Sequence, residues 1–298
     1  MALCTSKHLV IGTRRSKLAI KQTELVVEKL ASLYPHMDIS IKTIETKGDF
    51  FQAQPLYEIG GKGLFVKEIE QALLDGQIDM AVHSMKDVPT EIPSGLTIAA
   101  ILRREDPRDA FVSFKVESLS RAQGLRIGTS SLRRKRQLEL LFRQVEVVPL
   151  RGNVDTRLKR LKEGRVDGLI LAYAGLKRLG YDRYVTELIP SHLLTPAPGQ
   201  GAIGIETRQE RQILELLSPL RDERAHEEVT LERRLQSLVG GGCHVPLGVN
   251  VVRDGTYYEI SLFLSRNGRD FRINERFEAK DLELFLQRIV KRLGGREE

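Results

Sequence analysis

Tryptophan is absent from this chain of 298 residues, and aromatic residues make up 6% of it. Proteins that grip single-stranded nucleic acid set aromatic stacking platforms beside their cations, so the shortage argues against that class. Cys4 and Cys243 are the two cysteines and allow at most one disulfide, which excludes a disulfide-stapled secreted scaffold. No uninterrupted apolar run approaches the roughly 18 residues a membrane-spanning helix needs. The segment ahead of Arg15 also lacks the apolar core of a secretory signal. The expectation is a cytoplasmic protein with no membrane partner. Neither histidine spacing nor cysteine pairing suggests a metal site.

Charge is present in quantity and is unevenly placed. Lys and Arg number 47 against 40 Asp and Glu, a formal charge of +7, while hydrophobic residues at 41% and charged residues at 29% are ordinary for a globular chain. The length suggests two or three domains. From Arg121 to Arg165 there are thirteen Lys and Arg against four Asp and Glu, with Phe142 the lone aromatic. A basic pocket for carboxylates or phosphates is therefore the first expectation, and nucleic acid a distant one.

The first two-thirds alternates short apolar runs with helical spacing, the pattern of an α/β sheet protein. His8 to Thr13 reads as a strand, and Leu18, Leu25, Val26, Leu30 and Leu33 mark a helix ending before Pro35. Ile39 to Glu45 reads as a second strand, Leu64 to Leu74 as a helix stopped by Gly76, and Ile78 to Val82 as a buried strand. Thr46 to Gly63, polar and glycine-containing, is long enough to expect a lid or binding loop. A later segment replays this one. Ile11-Gly12-Thr13 leads into Arg14, Arg15 and Ser16, as Ile127-Gly128-Thr129 leads into Ser130, Ser131, Arg133 and Arg134. Gly76-Gln77-Ile78-Asp79 likewise matches Gly164-Arg165-Val166-Asp167. A strand, a glycine, a hydroxyl residue and an arginine-rich helix start place unpaired N–H groups and cations around an anion; ordinary N-capping explains the same hydroxyls. Beyond Pro219, Arg221 to Leu238 reads as a charged helix, Val249 to Phe277 as antiparallel strands, and Leu282 to Leu293 as an amphipathic helix, a small α+β domain.

Cys243 follows three glycines. That setting suits an accessible thiol able to form a covalent bond, and a small buried hydrophobe fits equally well; Cys4, in an apolar stretch, reads as the latter. Asp87 lies just past a buried strand, where ligands of open α/β sheets gather, and can serve as an acid or be a solvated loop residue. His83 could equally be a satisfied core histidine and is given no catalytic role. Arg133, Arg134, Arg151 and Arg157 fall at strand ends and helix starts, where guanidinium forks match carboxylates, whereas Lys159, Arg160 and Lys162 read as a solvated helix face.

These pieces, taken in order, closely resemble the porphobilinogen deaminase (hydroxymethylbilane synthase) family. They are Gly12 to Ala19, Gly60-Gly61-Lys62-Gly63-Leu64-Phe65, Ala81 to Pro89, Arg104 to Ala110, Gly128 to Arg134, Leu150 to Leu158, Ala174 to Gly180, Pro198 to Ala202 and Gly241 to Pro246. The resemblance implies two periplasmic-binding-protein-like α/β domains flanking a cleft, plus a small α+β C-terminal domain. It divides the chain as 1–100 with 198–218, 101–197, and 219–298. It implies a transferase of tetrapyrrole biosynthesis, a monomer, that joins four porphobilinogen molecules head to tail with loss of ammonia and then releases hydroxymethylbilane by hydrolysis. Its cofactor is a dipyrromethane attached as a thioether through Cys243. Asp87 takes the catalytic position. Arg14, Ser16, Lys86, Thr129, Ser130, Ser131, Arg133, Arg134, Arg151, Arg157 and Arg178 match positions contacting cofactor or substrate carboxylates, with Lys62 a lid contact and Gln200 a further binding position. The rival reading is a non-catalytic two-lobed organic-anion-binding protein.

Overall fold

The computed structural model describes residues 8–46, 48, 63, 65–240 and 245–294. Cys4, Lys62 and Cys243, and all of the expected Thr46 to Gly63 loop except Thr46, Gly48 and Gly63, lie outside the described residues. The chain divides into two compact units. The first takes its described residues from Met1–Phe51, Gly63–Arg104 and Ala202–His226, and the second from Glu105–Gly201 and Glu227–Glu298.

The first unit is a five-stranded sheet with helices on both faces. Strands β1 (His8–Arg14), β2 (Asp38–Ile44), β3 (Met80–Ser84), β4 (Leu96–Ile101) and β10 (Ile203–Arg208) lie in the order β2-β1-β3-β10-β4. β1 runs parallel to β2 and β3, while β10 is antiparallel to β3 and β4. The return of the chain after Gln200 thus lays β10 between β3 and β4. Side chains alternate across it with the two-residue period of a strand. Leu9, Ile11, Met80 and Val82 pack with Val26 and Leu30 of helix α1 (Lys17–Leu33). Ala81 and Val10 pack with Ile69, Ala72 and Leu73 of helix α2 (Lys67–Leu74). α2 begins later than Leu64 because Gly63, at φ +76°, opens a turn whose carbonyl accepts from Val66 and Lys67, and Val66 at φ −129° is not yet helical.

The second unit repeats this plan. β5 (Asp109–Ser113), β6 (Arg126–Gly128), β7 (Glu146–Val148), β8 (Gly168–Ala172) and β9 (Glu187–Ile189) lie in the order β7-β6-β8-β5-β9. β6 is parallel to β7 and β8; β5 is antiparallel to β8 and β9. Strand for strand, order and polarity match the first sheet, with β5 standing where β10 stands. The paired motifs do the same work in each. Asp79 accepts from Val10 N at 2.8 Å, and Asp167 accepts from Arg126 N at 2.9 Å. Helices α3 (Leu132–Leu141), α4 (Val154–Lys162) and α5 (Tyr173–Arg178) flank the second sheet.

Also in this unit, β11 (Leu247–Asp254), β12 (Tyr257–Arg266) and β13 (Arg269–Glu278) form an antiparallel meander. Asn267 at φ 50° and Gly268 at φ 73° make the tight turn between the last two. Its apolar face packs against Leu231, Leu235 and Leu238 of the helix Glu223–Leu238, and against Phe285 and Ile289 of the helix Leu282–Leu293. The helix Glu223–Leu238 is less solvated than its charge suggests. Glu232, fully buried, accepts from Val251 N at 2.8 Å and from Gly199 N at 2.6 Å, and Glu228 accepts from Arg253 N at 2.9 Å. Among the described residues no helix is long and apolar enough to cross a membrane. The architecture is α/β, with two sheet-and-helix domains of one topology and a small antiparallel third.

Candidate anion-binding and catalytic residues

In the first unit the candidate residues follow the C-terminal ends of two adjacent parallel strands, β1 and β3. At β1 a Cβ on Gly12 would lie 2.3 Å from Ile78 Cδ1, so the tip of the Ile78 side chain would have to shift. Arg14 comes next, its guanidinium 4.1 Å from the Phe65 ring centroid, a cation–π contact. Ser16 caps α1, its hydroxyl accepting from Ala19 N at 3.2 Å. At the end of β3, Ser84 is hydrogen-bonded to the buried Gln22 at 2.9 Å. A single 3-10 turn, Met85–Asp87, then presents Lys86 and Asp87 to solvent while Met85 anchors it in the core. His83 is buried, with Nε2 3.0 Å from Glu206 Oε2, which agrees with its reading as a core histidine.

The second unit gathers its candidates at the matching strand ends. After β6, Thr129 Oγ1 accepts from Ser131 N at 3.2 Å, and Ser131 caps α3 by accepting from Arg134 N at 3.4 Å. Ser130 Oγ is buried and has no hydrogen-bond partner among the described residues. Arg133 and Arg134 are buried, and each is ion-paired with Asp109, at 2.8 Å and 2.7 Å. Arg133 also donates to Thr195 O at 2.6 Å. Gln200, buried, donates to the same Asp109 at 2.8 Å and to Pro107 O at 2.6 Å. Asp109 escaped the sequence reading. A lone acid opening the apolar run Ala110-Phe111-Val112 was the available signal, since a buried carboxylate demands a cationic partner.

Arg151 follows β7, and Arg157 lies inside α4, donating to Gly152 O at 2.7 Å. Burial, reinforced by the guanidinium groups of Arg134, Arg151 and Arg160, lowers Arg157 to about 10. Every charge that shifts it is of its own sign. Arg178, at the end of α5, donates to Gly201 O at 2.6 Å; burial lowers it to about 10 against the partial opposition of Glu105. Burial lowers Arg151 as well. Among the described residues no cluster of His, Cys, Asp and Glu is arranged to hold a metal ion.

This donor set fits a ligand with several carboxylates. Like-charged guanidinium groups at close range are unfavourable until an anion joins them, and a buried hydroxyl without a partner invites one. The dipyrromethane expected from the sequence, as an assembly of pyrroles with acidic side chains, has that chemistry.

Repeated sheets with a glycine turn, hydroxyl caps and arginines at the strand ends define a class of α/β proteins equipped for anionic ligands. Comparison with known proteins makes this specific. The family model described as "Porphobilinogen deaminase, dipyromethane cofactor binding domain" matches residues 9–215. A porphobilinogen deaminase of Roseiflexus sp. (strain RS-1) is 47% identical over 276 residues, covering 92% of this chain and 91% of that one. One from Chromobacterium violaceum is 52% identical over 252 residues, covering 83% and 81%. Among solved structures, the periplasmic VFT2 domain of Bordetella pertussis BvgS is similar at a TM-score of 0.44 and 14% identity, covering 76% of this chain and 92% of that one. The fold assignment rests on the strand orders above. The chain belongs to the porphobilinogen deaminase family.

Proposed function

We propose that this protein condenses four porphobilinogen molecules head to tail, with loss of one ammonia from each, and releases hydroxymethylbilane by hydrolysis. A dipyrromethane joined through a thioether to Cys243 is its cofactor, and when bound it supplies the free α-carbon to which the first substrate is added. The observation that carries this reading is the match of the porphobilinogen deaminase family model over residues 9–215, which the arginines gathered at the strand ends of the second unit suit.

Each incoming substrate brings an acetate and a propionate, and without fixed cations their mutual repulsion would oppose every addition. Arg14 at the end of β1 and Ser16 after it, and Thr129, Ser130, Ser131, Arg133, Arg134, Arg151, Arg157 and Arg178 in the second unit, act as carboxylate binders; Lys62 and Gln200 support them. Asp87 is the catalytic acid group. Its carboxylate accepts from pyrrole N–H groups and stabilises the positive charge that develops on the substrate as ammonia leaves, and Lys86 beside it binds a substrate carboxylate. The protein works as a cytoplasmic monomer.

Intact-protein mass before and after brief exposure to porphobilinogen tests the reading. The expected result is a dipyrromethane increment on the purified chain and further, regularly spaced increments after exposure; a bare chain unchanged by substrate sinks it. The cation cluster would equally serve a non-catalytic organic-anion binder. Ehrlich's reagent separates the two, since a colour reports bound pyrrole.

A further inference from the structure

Asp109 opens strand β5 with no solvent exposure at all. Its carboxylate is ion-paired with two successive arginines, Arg133 at 2.8 Å and Arg134 at 2.7 Å, and accepts from Gln200 Nε2 at 2.8 Å. Two buried guanidinium groups side by side lose hydration and repel each other, and burial and Arg134 both lower Arg133. One carboxylate between them offsets a single charge and leaves a net cation. The geometry of Arg134 shows how that cation is held. Its Nη2 donates to Asp109 and its Nη1 to Ile170 O at 3.2 Å, while its Nε is buried without a hydrogen-bond partner among the described residues. An unpaired buried N–H is costly, so a side chain able to rotate would turn it elsewhere; the two terminal contacts prevent that. Arg134 is also the foremost of the guanidinium groups acting on Arg157, so it belongs to the like-charged cluster.

We propose that Asp109 is a positioning residue for anion binding: it fixes the Arg134 guanidinium in the orientation that receives a ligand carboxylate, and Gln200 fixes Asp109 in turn. The proposal rests on the carboxylate-binding function given above. A fixed cation loses no side-chain freedom when the ligand arrives, which is where the affinity originates.

A double-mutant cycle tests it. The parent, Asp109→Asn, Arg134→Met and the double variant, each prepared free of cofactor, are incubated with the same limiting concentration of porphobilinogen. The fraction carrying the dipyrromethane increment is read by intact mass, and melting temperature is read alongside. Asp109→Asn and Arg134→Met are each expected to cut the loaded fraction about tenfold, the worth of one charge-assisted hydrogen bond. The double variant is expected to load no worse than Arg134→Met alone. Losses that multiply in the double variant would mean that Asp109 acts independently of Arg134. Normal loading in Asp109→Asn, with only the melting temperature lowered, would make it a structural acid; either result overturns the proposal. If Asp109→Asn does not fold, Asp109→Glu takes its place, keeping the charge but shifting it by one methylene. Poor loading at a retained melting temperature then supports the proposal, and full loading overturns it. A parent that gains no mass points to a failure of the functional reading, whereas a parent and variants that all load leave that reading standing and overturn the proposal for Asp109.

Discussion

Arg157 is protonated at neutral pH at the expense of stability. Burial and three guanidinium neighbours push it down to about 10, so the folded state holds this proton less tightly than the unfolded chain does. The resulting penalty is present below about 10 and eases as the pH rises past it. Arg157→Leu is therefore expected to raise the melting temperature of cofactor-free protein while raising the KM for porphobilinogen about tenfold or more. A variant that is less stable and binds normally would assign Arg157 to the fold. Asp87 is the opposite case, exposed on a 3-10 turn and contributing little to stability. Asp87→Glu is expected to retain cofactor by intact mass and to lose most of its kcat, because a longer side chain misplaces the charge it presents; a near-normal kcat would end its catalytic role. Asp87 was a candidate by its place past a buried strand and Arg157 by its place one turn inside an arginine-rich helix, while the roles expected of both came from the family resemblance. Asp109 was not among the candidates. Its partners Arg133 and Arg134 lie more than twenty positions away, and nothing local marks which cation a buried acid will meet.

The Gly-x-x-Asp pairs were the elements most readable in advance, and their role turns out to be mechanical. In the second unit Asp167, nearly buried, accepts from Arg126 N at 2.9 Å and Arg126 Nε at 3.1 Å, and is ion-paired with Lys115 at 2.6 Å. It thereby ties the edge of β6 to the start of β8. The hydrogen bonds from Arg126 and Lys115 lower its pKa well below the unfolded value of 3.8. A depressed carboxylate stabilises the fold above that unfolded value and loses the contribution as pH falls below it. Asp167→Asn is expected to destabilise by about 1–3 kcal/mol at pH 7, with the gap to the parent closing below about pH 4. An equal gap at both pH values would mean that shape, and not charge, is what Asp167 supplies. Other elements were less legible. β10 joins β3 and β4 from more than a hundred positions away, a pairing no local pattern reports. In the helix Glu223–Leu238, read in advance as charged, the sequence could not tell which acids are buried, because a Glu that accepts backbone N–H groups has the same letter as one facing water.

At the scale of the whole molecule the charge has a pattern. The formal charge is +7, yet Arg121 to Arg165 alone holds thirteen cations against four acids, leaving the remainder slightly acidic. That whole segment lies in the second unit and contains β6, β7, α3 and α4, so one unit concentrates the positive charge available to a substrate with two carboxylates. Fields of this kind raise association rates and are screened by salt over about 10 Å at 0.1 M. The kcat/KM for porphobilinogen is accordingly expected to fall severalfold between about 0.05 M and about 0.5 M salt, while the cofactor increment in the intact mass stays unchanged, since a thioether does not respond to ionic strength. Cys243→Ser separates the two effects. It is expected to lack the increment at every salt concentration, and an increment found on it would move the attachment to another residue. A kcat/KM indifferent to salt in the parent would mean that the cations act only after docking, at contact distance, and that the concentration of charge in the second unit serves retention of the growing polyanion and not its capture.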